Sequence, residues 1–224
     1  MFFKINLHAP EIYFPRHRKQ GILISLLVMD YTLIHHTATL PAKKYIRLYR
    51  DEARFIAFCR ECNRFNRCWA CPPYDFNTTA QLSKYTHVHL FGCQIIPSPQ
   101  LIASCHTAEA GKATVIRLLE EARHLIDPRL RQLENQIPDS CAFYAGTCHL
   151  CPENKCTRID NLPCRYPHLV RHSLESFGFD LSRTAEELLN VPLKWSDGEK
   201  LPDYLMLISG LLTSSEIETN GLSL

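Results

Sequence analysis

Several features that would each point to a familiar class are missing or scarce in this chain. Apolar runs such as residues 22–29 fall well below the ~20 residues a bilayer-spanning helix needs, so no membrane partner is expected. An excess of one charge is missing too. Lys and Arg number 25 against 23 Asp and Glu, a net of +2, which provides no basic face for a nucleic-acid backbone. Glycine numbers only 8, and there is no phosphate-cradling loop, dinucleotide fingerprint or nucleophile-base pair to assign a particular reaction. Repeats and low-complexity stretches are absent as well, which predicts an ordinary globular core. Residues 16–19 supply the basic flank of a signal peptide, but the apolar stretch behind them is minimal and lacks a small-residue cleavage site. The expected compartment is the cytoplasm. Residues 1–30 read as an N-terminal extension, with the internal Met29 as the natural start.

Cysteine, by contrast, is plentiful: 11 residues, unevenly placed. Eight of them crowd into two tracts, while Cys93, Cys105 and Cys141 stand apart and read as small core residues. A disulfide framework belongs to shorter exported chains and gains little from thiols packed this tightly. In a reducing compartment such spacing reads as metal ligation.

The first tract, CRECNRFNRCWACPP, places Cys59, Cys62, Cys68 and Cys71 in the pattern C-x2-C-x5-C-x2-C. Each C-x2-C turn lets two thiolates converge on one centre while nearby backbone N–H groups point back at the sulfurs. Four anionic sulfurs this close are tolerated when a cation or a cluster neutralises them. The second tract, GTCHLCPENKCTRIDNLPC, places Cys148, Cys151, Cys156 and Cys164 in the pattern C-x2-C-x4-C-x7-C. Lys155, Arg158 and Arg165 lie among them, where positive charge lowers thiol pKa and offsets a negative cluster. The spacer between the turns of the first tract is short for a zinc ribbon, and a proline follows both Cys71 and Cys151, as in ferredoxin runs. Two 4Fe-4S clusters are the preferred cofactors, with zinc in one or both sites as the alternative. Spacing leaves open whether the tracts form separate sites or exchange ligands.

Periodicity predicts strands over residues 31–40, 85–96, 140–145 and 204–212. Pro41 opens a helix whose apolar residues Ile46, Tyr49, Ala53, Ile56 and Ala57 lead to Cys59. A helix over 107–126 carries the stripe Val115, Leu119, Ala122 and Ile126 and is restarted by Asp127 and Pro128 as a second short helix. Helices are also expected over 167–177 and 184–190, the latter with Thr184 and Glu187 at capping-box spacing. The fold class is α+β: a mixed sheet of about four to five strands covered by helices, with both cysteine loops at one edge or end. One metal-binding domain spans 31–213 and a tail follows over 214–224. Phe65, Trp69, Tyr74 and Phe76 surround the first tract as core or as a shield for a cluster. His87 and His89 share a strand face, which reads as a polar face before it reads as a metal site. Arg171 and Glu175 sit four apart as a helix pair, or as a polar contact to a substrate beside the metal.

Together, CRECNRFNRCWACPPYDFN and AGTCHLCPENKCTRIDNLPCRYPHLVRHSLESFGFD resemble a family of predicted cysteine-rich metal-binding proteins, a domain of unknown function in bacteria and archaea. The similarity runs from about Tyr31 to Thr213 and includes KWSDGEKLPDYLMLISGLLT. It implies metal binding through the eight tract cysteines, one domain and a cytoplasmic location, and it brings no reaction. The leading expectation is therefore a cytosolic electron carrier or redox accessory protein with a redox partner protein. The alternatives are a structural zinc protein acting as a partner-binding module, and an iron-sulfur enzyme with Arg171, Glu175 or a histidine as polar helper.

Overall fold

Apolar and polar residues alternate from Tyr31 onward and form the first strand, β1 (Tyr31–Pro41), half covered because it lies at a sheet edge. The computed structural model describes residues 30–152, 155–194 and 201–217. The N-terminal extension falls outside them except for Asp30, and the tail is described only as far as 217. After β1 come α1 (Ala42–Tyr49), α2 (Glu52–Glu61), α3 (Thr78–Leu82), β2 (His87–Pro97), α4 (Pro99–Ser104), α5 (Ala108–Gln136) and β3 (Ser140–Phe143). The described residues that follow are largely irregular, and the last strand is β4 (Leu205–Thr213).

The class is α+β, built on a four-stranded sheet of order β1-β2-β4-β3. Every hydrogen-bonded pair is antiparallel, so the sheet is not the mixed one expected from the alternation of strands and helices. The reason is topological. β2 and β3 do run the same way, joined through α4 and α5, but β4 inserts between them and pairs antiparallel with both.

Both faces of the two inner strands are covered, so β2 and β4 are almost continuously buried. On one face Val88, Leu90, Ile208, Leu212 and Phe143 pack with Tyr45 and Tyr49 of α1 and with Leu174, Phe177 and Phe179. On the other, Phe91, Cys93, Ile95, Leu207 and Leu211 meet Leu118, Ala122, Ile126 and Leu130 of α5. Cys93 and Cys141 are core residues, their thiols pushed up to about 11, chiefly by burial. His89 is buried in the sheet, with Nδ1 3.0 Å from Thr39 Oγ1 and Nε2 3.3 Å from Thr213 Oγ1. Both ring nitrogens are thus engaged within the core.

Helix boundaries depart from the periodic reading where side chains bond the backbone. The helix leading to Cys59 is broken at Arg50, which bridges to Phe179, and restarts because the Asp51 carboxylate accepts from Arg54 N at 3.0 Å. Gly178 makes that junction possible: it adopts φ +89°, and a Cβ there would lie 2.7 Å from Glu52 Cα. α5 runs through Pro128 without restarting, held by the buried stripe of Leu118, Ala122, Ile126 and Leu130. The helix expected over 167–177 does not form; only a 3-10 turn, Glu175–Phe177, is helical there. Arg171 accordingly reaches Glu134 of α5, with Nη2 at 2.6 Å and Nε at 2.7 Å from Oε2, instead of pairing with Glu175. The expected capping box at Thr184 is replaced by Asp180, whose carboxylate accepts from Arg183 N at 3.0 Å.

Phe177 is buried where the irregular stretch meets the sheet, edge-on to Phe143 at 4.9 Å between ring centroids. Phe177→Ala is expected to cost ~3–5 kcal/mol in urea unfolding. A loss below about 1 kcal/mol would mean that this packing does not hold the irregular stretch to the sheet.

Candidate metal centre

The two cysteine tracts, distant in sequence, share one seam. α2 delivers Cys59 on its last turn, and Cys62 closes the helix end by donating its N–H to Cys59 O at 3.1 Å. The second C-x2-C turn closes in the same way, Cys71 N donating to Cys68 O at 3.0 Å. Between them Asn66 takes a left-handed conformation, φ 54°, and donates its N–H to Pro72 O at 2.8 Å. In the second tract a 3-10 helix, Thr157–Asp160, follows Cys156, and Asn161 ends it at φ 53°. In their described residues both tracts therefore fold through tight turns.

Cys68, Ala70 and Cys156 form a buried cluster that Trp69, Cys71, Cys148 and Val170 join. Sulfurs from both tracts thus pack in one place. The Cys68 sulfur accepts hydrogen bonds from the thiols of Cys148 and Cys71, assisted by the Ala70 N–H and the Thr147 hydroxyl, and its pKa falls well below the usual thiol value. Cys148 and Cys71 are pushed up in return, since each is the proton-bearing partner of Cys68 and each is desolvated. Thr147 bridges the tracts, with Oγ1 3.5 Å from Cys71 Sγ and 4.0 Å from Cys68 Sγ. Burial is the main cause that raises Cys59. Burial also raises Cys164, opposed by the Tyr166 N–H and reinforced by Cys156, Cys151 and Cys68.

A recurrent backbone feature faces these sulfurs. The N–H two residues after the cysteine points at the sulfur at Cys62 (Arg64 N, 3.5 Å) and Cys164 (Tyr166 N, 3.4 Å). The Ala70 N–H serves Cys68 in the same way, and the Leu150 N–H serves Cys148. Such donors stabilise a thiolate over a thiol, which is what metal ligation requires. Among the described residues, no group of three or more His, Cys, Asp or Glu side chains is arranged to hold a metal ion as it stands.

Arg158 holds the seam together without touching sulfur. Its guanidinium donates to Cys68 O at 2.9 Å, Cys71 O at 2.6 Å and Pro73 O at 2.5 Å, and it lies 5.1 Å from the Trp69 ring centroid. Trp69 Nε1 in turn donates to Leu162 O at 3.1 Å. Arg165 is likewise spent on backbone, donating to Lys155 O at 3.1 Å. Of the aromatics around the first tract, Tyr74 has its hydroxyl oxygen 3.0 Å from Ala70 O and 2.7 Å from Ser176 Oγ, and it stacks on Phe76 at 5.0 Å between centroids.

Three supports escaped the sequence reading. His172 donates from Nδ1 to Ala70 O at 3.1 Å, and burial depresses its pKa, so the neutral ring is the native form. Arg123 of α5 is buried and donates to Thr147 O at 2.6 Å. Its neighbour Asp127 accepts from Arg123 Nη2 at 3.1 Å and lies 3.2 Å from His149 Nε2, beside Cys148. A signal for the last pair was present: an Arg and an Asp four apart on the apolar side of a helix demand partners.

The model of a family of predicted metal-binding proteins, DUF2284, matches residues 46–213, and the chain belongs to that family. No curated protein and no solved structure matches the chain. No helix among the described residues is long and apolar enough to cross a membrane.

Arg158→Ala removes a fork that spans three carbonyls and is expected to lower stability by ~2–3 kcal/mol in chemical denaturation. Arg158→Lys is expected to recover less than half of that, because an ammonium cannot reproduce the planar fork. Equal stability of the Ala and wild-type proteins would show that the seam is held by other contacts.

Proposed function

We propose that Cys59, Cys62, Cys68, Cys71, Cys148, Cys151, Cys156 and Cys164 hold iron as two 4Fe-4S clusters, and that the protein passes single electrons to a partner protein in the cytoplasm. The observation that carries this reading is the meeting of Cys68 and Cys71 with Cys148 at Thr147. It brings Cys68 and Cys71 of the first tract and Cys148 and Cys156 of the second into one seam, an arrangement that would suit a short relay. The N–H groups aimed at sulfur belong to the same reading, since hydrogen bonds to sulfur and limited solvent exposure tune cluster potential. When bound, the clusters would supply one-electron chemistry, and the chain would supply thiolates, donors and aromatic cover. Metal loading would couple the order of these turns to the bound ion.

One observation favours a structural zinc reading as the alternative. The Cys68 sulfur accepts hydrogen bonds from both Cys71 and Cys148, so thiols of the two tracts adjoin one another as ligands of a single zinc ion would. Zinc would clamp the turns, and any activity would lie elsewhere.

Protein purified under argon is expected to be brown, to bleach with dithionite and to carry about eight iron and eight acid-labile sulfide per chain. Stoichiometric zinc without sulfide would replace the cluster reading with the structural one. Absence of both metals, with all eight thiols open to alkylation, would end both. Cys68→Ser, which alters the junction of the tracts, is expected to lose more than half of the bound iron, and Cys62→Ser, at the exposed end, less.

A further inference from the structure

A cavity of about 630 Å³ opens between α2, the start of β4 and the loop after Phe177. Its walls are mostly apolar, formed by Phe55 and Phe58 of α2, Leu119 of α5, and Met206 and Ile208 of β4. Phe58 is 57% exposed although it is large and apolar, and it meets Phe55 edge-on at 5.9 Å between ring centroids. The volume is that of a pocket for a small organic molecule. It abuts the cysteine seam twice: Phe58 directly precedes Cys59, and Gly146, another lining residue, lies two residues before Cys148.

The polar groups define what such a molecule would be. At the rim Arg54 and Asp180 stand 3.9 Å apart and offset each other, so the mouth offers no net charge. Inside, Glu175 lines the cavity, and its Oε2 is shielded from solvent and has no hydrogen-bond partner. Desolvation raises the Glu175 pKa, while its own N–H, Ser173, Arg123 and the Gly146 N–H pull the other way. Burial favours the neutral acid form of this carboxyl, whose O–H would be a donor without an acceptor.

We propose that this cavity is a binding site for an uncharged, mainly apolar molecule bearing a carbonyl group, which accepts a hydrogen bond from Glu175. The apolar walls select the body of the ligand, and the single donor fixes its orientation with the carbonyl toward the cysteine seam. The proposal concerns a site separate from the metal ligands and does not depend on which metal they hold.

Equilibrium dialysis of the full chain against 1-tetralone and its hydrocarbon counterpart tetralin isolates the carbonyl. Saturable binding of 1-tetralone about tenfold tighter than tetralin is expected, the cost of leaving a buried donor unpaired. Glu175→Met should erase that preference, while Glu175→Gln, which keeps an N–H donor, should retain most of it. Phe58→Ser changes an exposed wall residue with little risk to folding and should weaken both ligands severalfold. Equal affinity of wild-type protein for the two ligands, no saturable binding, or a preference that survives Glu175→Met would each overturn the proposal.

Discussion

The Arg158 guanidinium grips three backbone carbonyls at the end of the first tract, and the shape of the cysteine seam passes through that contact. A cation pointed at the sulfurs would neutralise them and weaken their demand for a metal. Directed at carbonyls instead, it orders the loops while leaving the thiols available to one another. Their remaining conflict is visible at Cys68, whose pKa is lowered while those of Cys71 and Cys148 are raised. Crowded thiols can share one charge among themselves, but full ionisation needs an external cation. The seam thus carries a local electrostatic debt that its own side chains cannot discharge.

The rest of the fold holds this seam in place. α5, packed along one face of the sheet, reaches the second tract through Arg123 and Asp127, whose burial among leucines is offset by Thr147 O and His149. The opposite side is pinned by His172 and Tyr74, both on the Ala70 carbonyl, with Phe177 anchoring that stretch to the sheet. The cysteine seam therefore sits between two supports fixed to the sheet and not on a free loop. The Glu175 cavity shares one of those supports, since Arg123 faces both Thr147 and the Glu175 carboxyl.

Much of the framework was legible from local chemistry. Strand positions followed from short β-prone or alternating runs bounded by turn residues, and the eight cysteines stood out by spacing alone. Less legible were features that depend on partners far along the chain. Pro128 looked like a helix end, yet the core contacts of Leu118, Ala122, Ile126 and Leu130 outweigh one missing hydrogen bond. Arg171 and Glu175 looked like a helix pair because four-residue spacing cannot report that Arg171 has Glu134 within reach. The joining of the tracts was invisible, since it rests on Thr147, Arg158 and backbone carbonyls, none of which marks itself by residue type. The antiparallel sheet escaped for a similar reason: pattern predicts strands, not which strand will arrive last and slip between two others.

That late arrival has a bearing on how the molecule is made. β4 is the sole bridge between β2 and β3, and it ends at Thr213, after both cysteine tracts. During synthesis every tract cysteine leaves the ribosome while the platform beneath it still lacks its central rib. The nascent thiols must pass that interval unsupported, reachable by metal donors and oxidants alike, until the final strand zips the two halves of the sheet together.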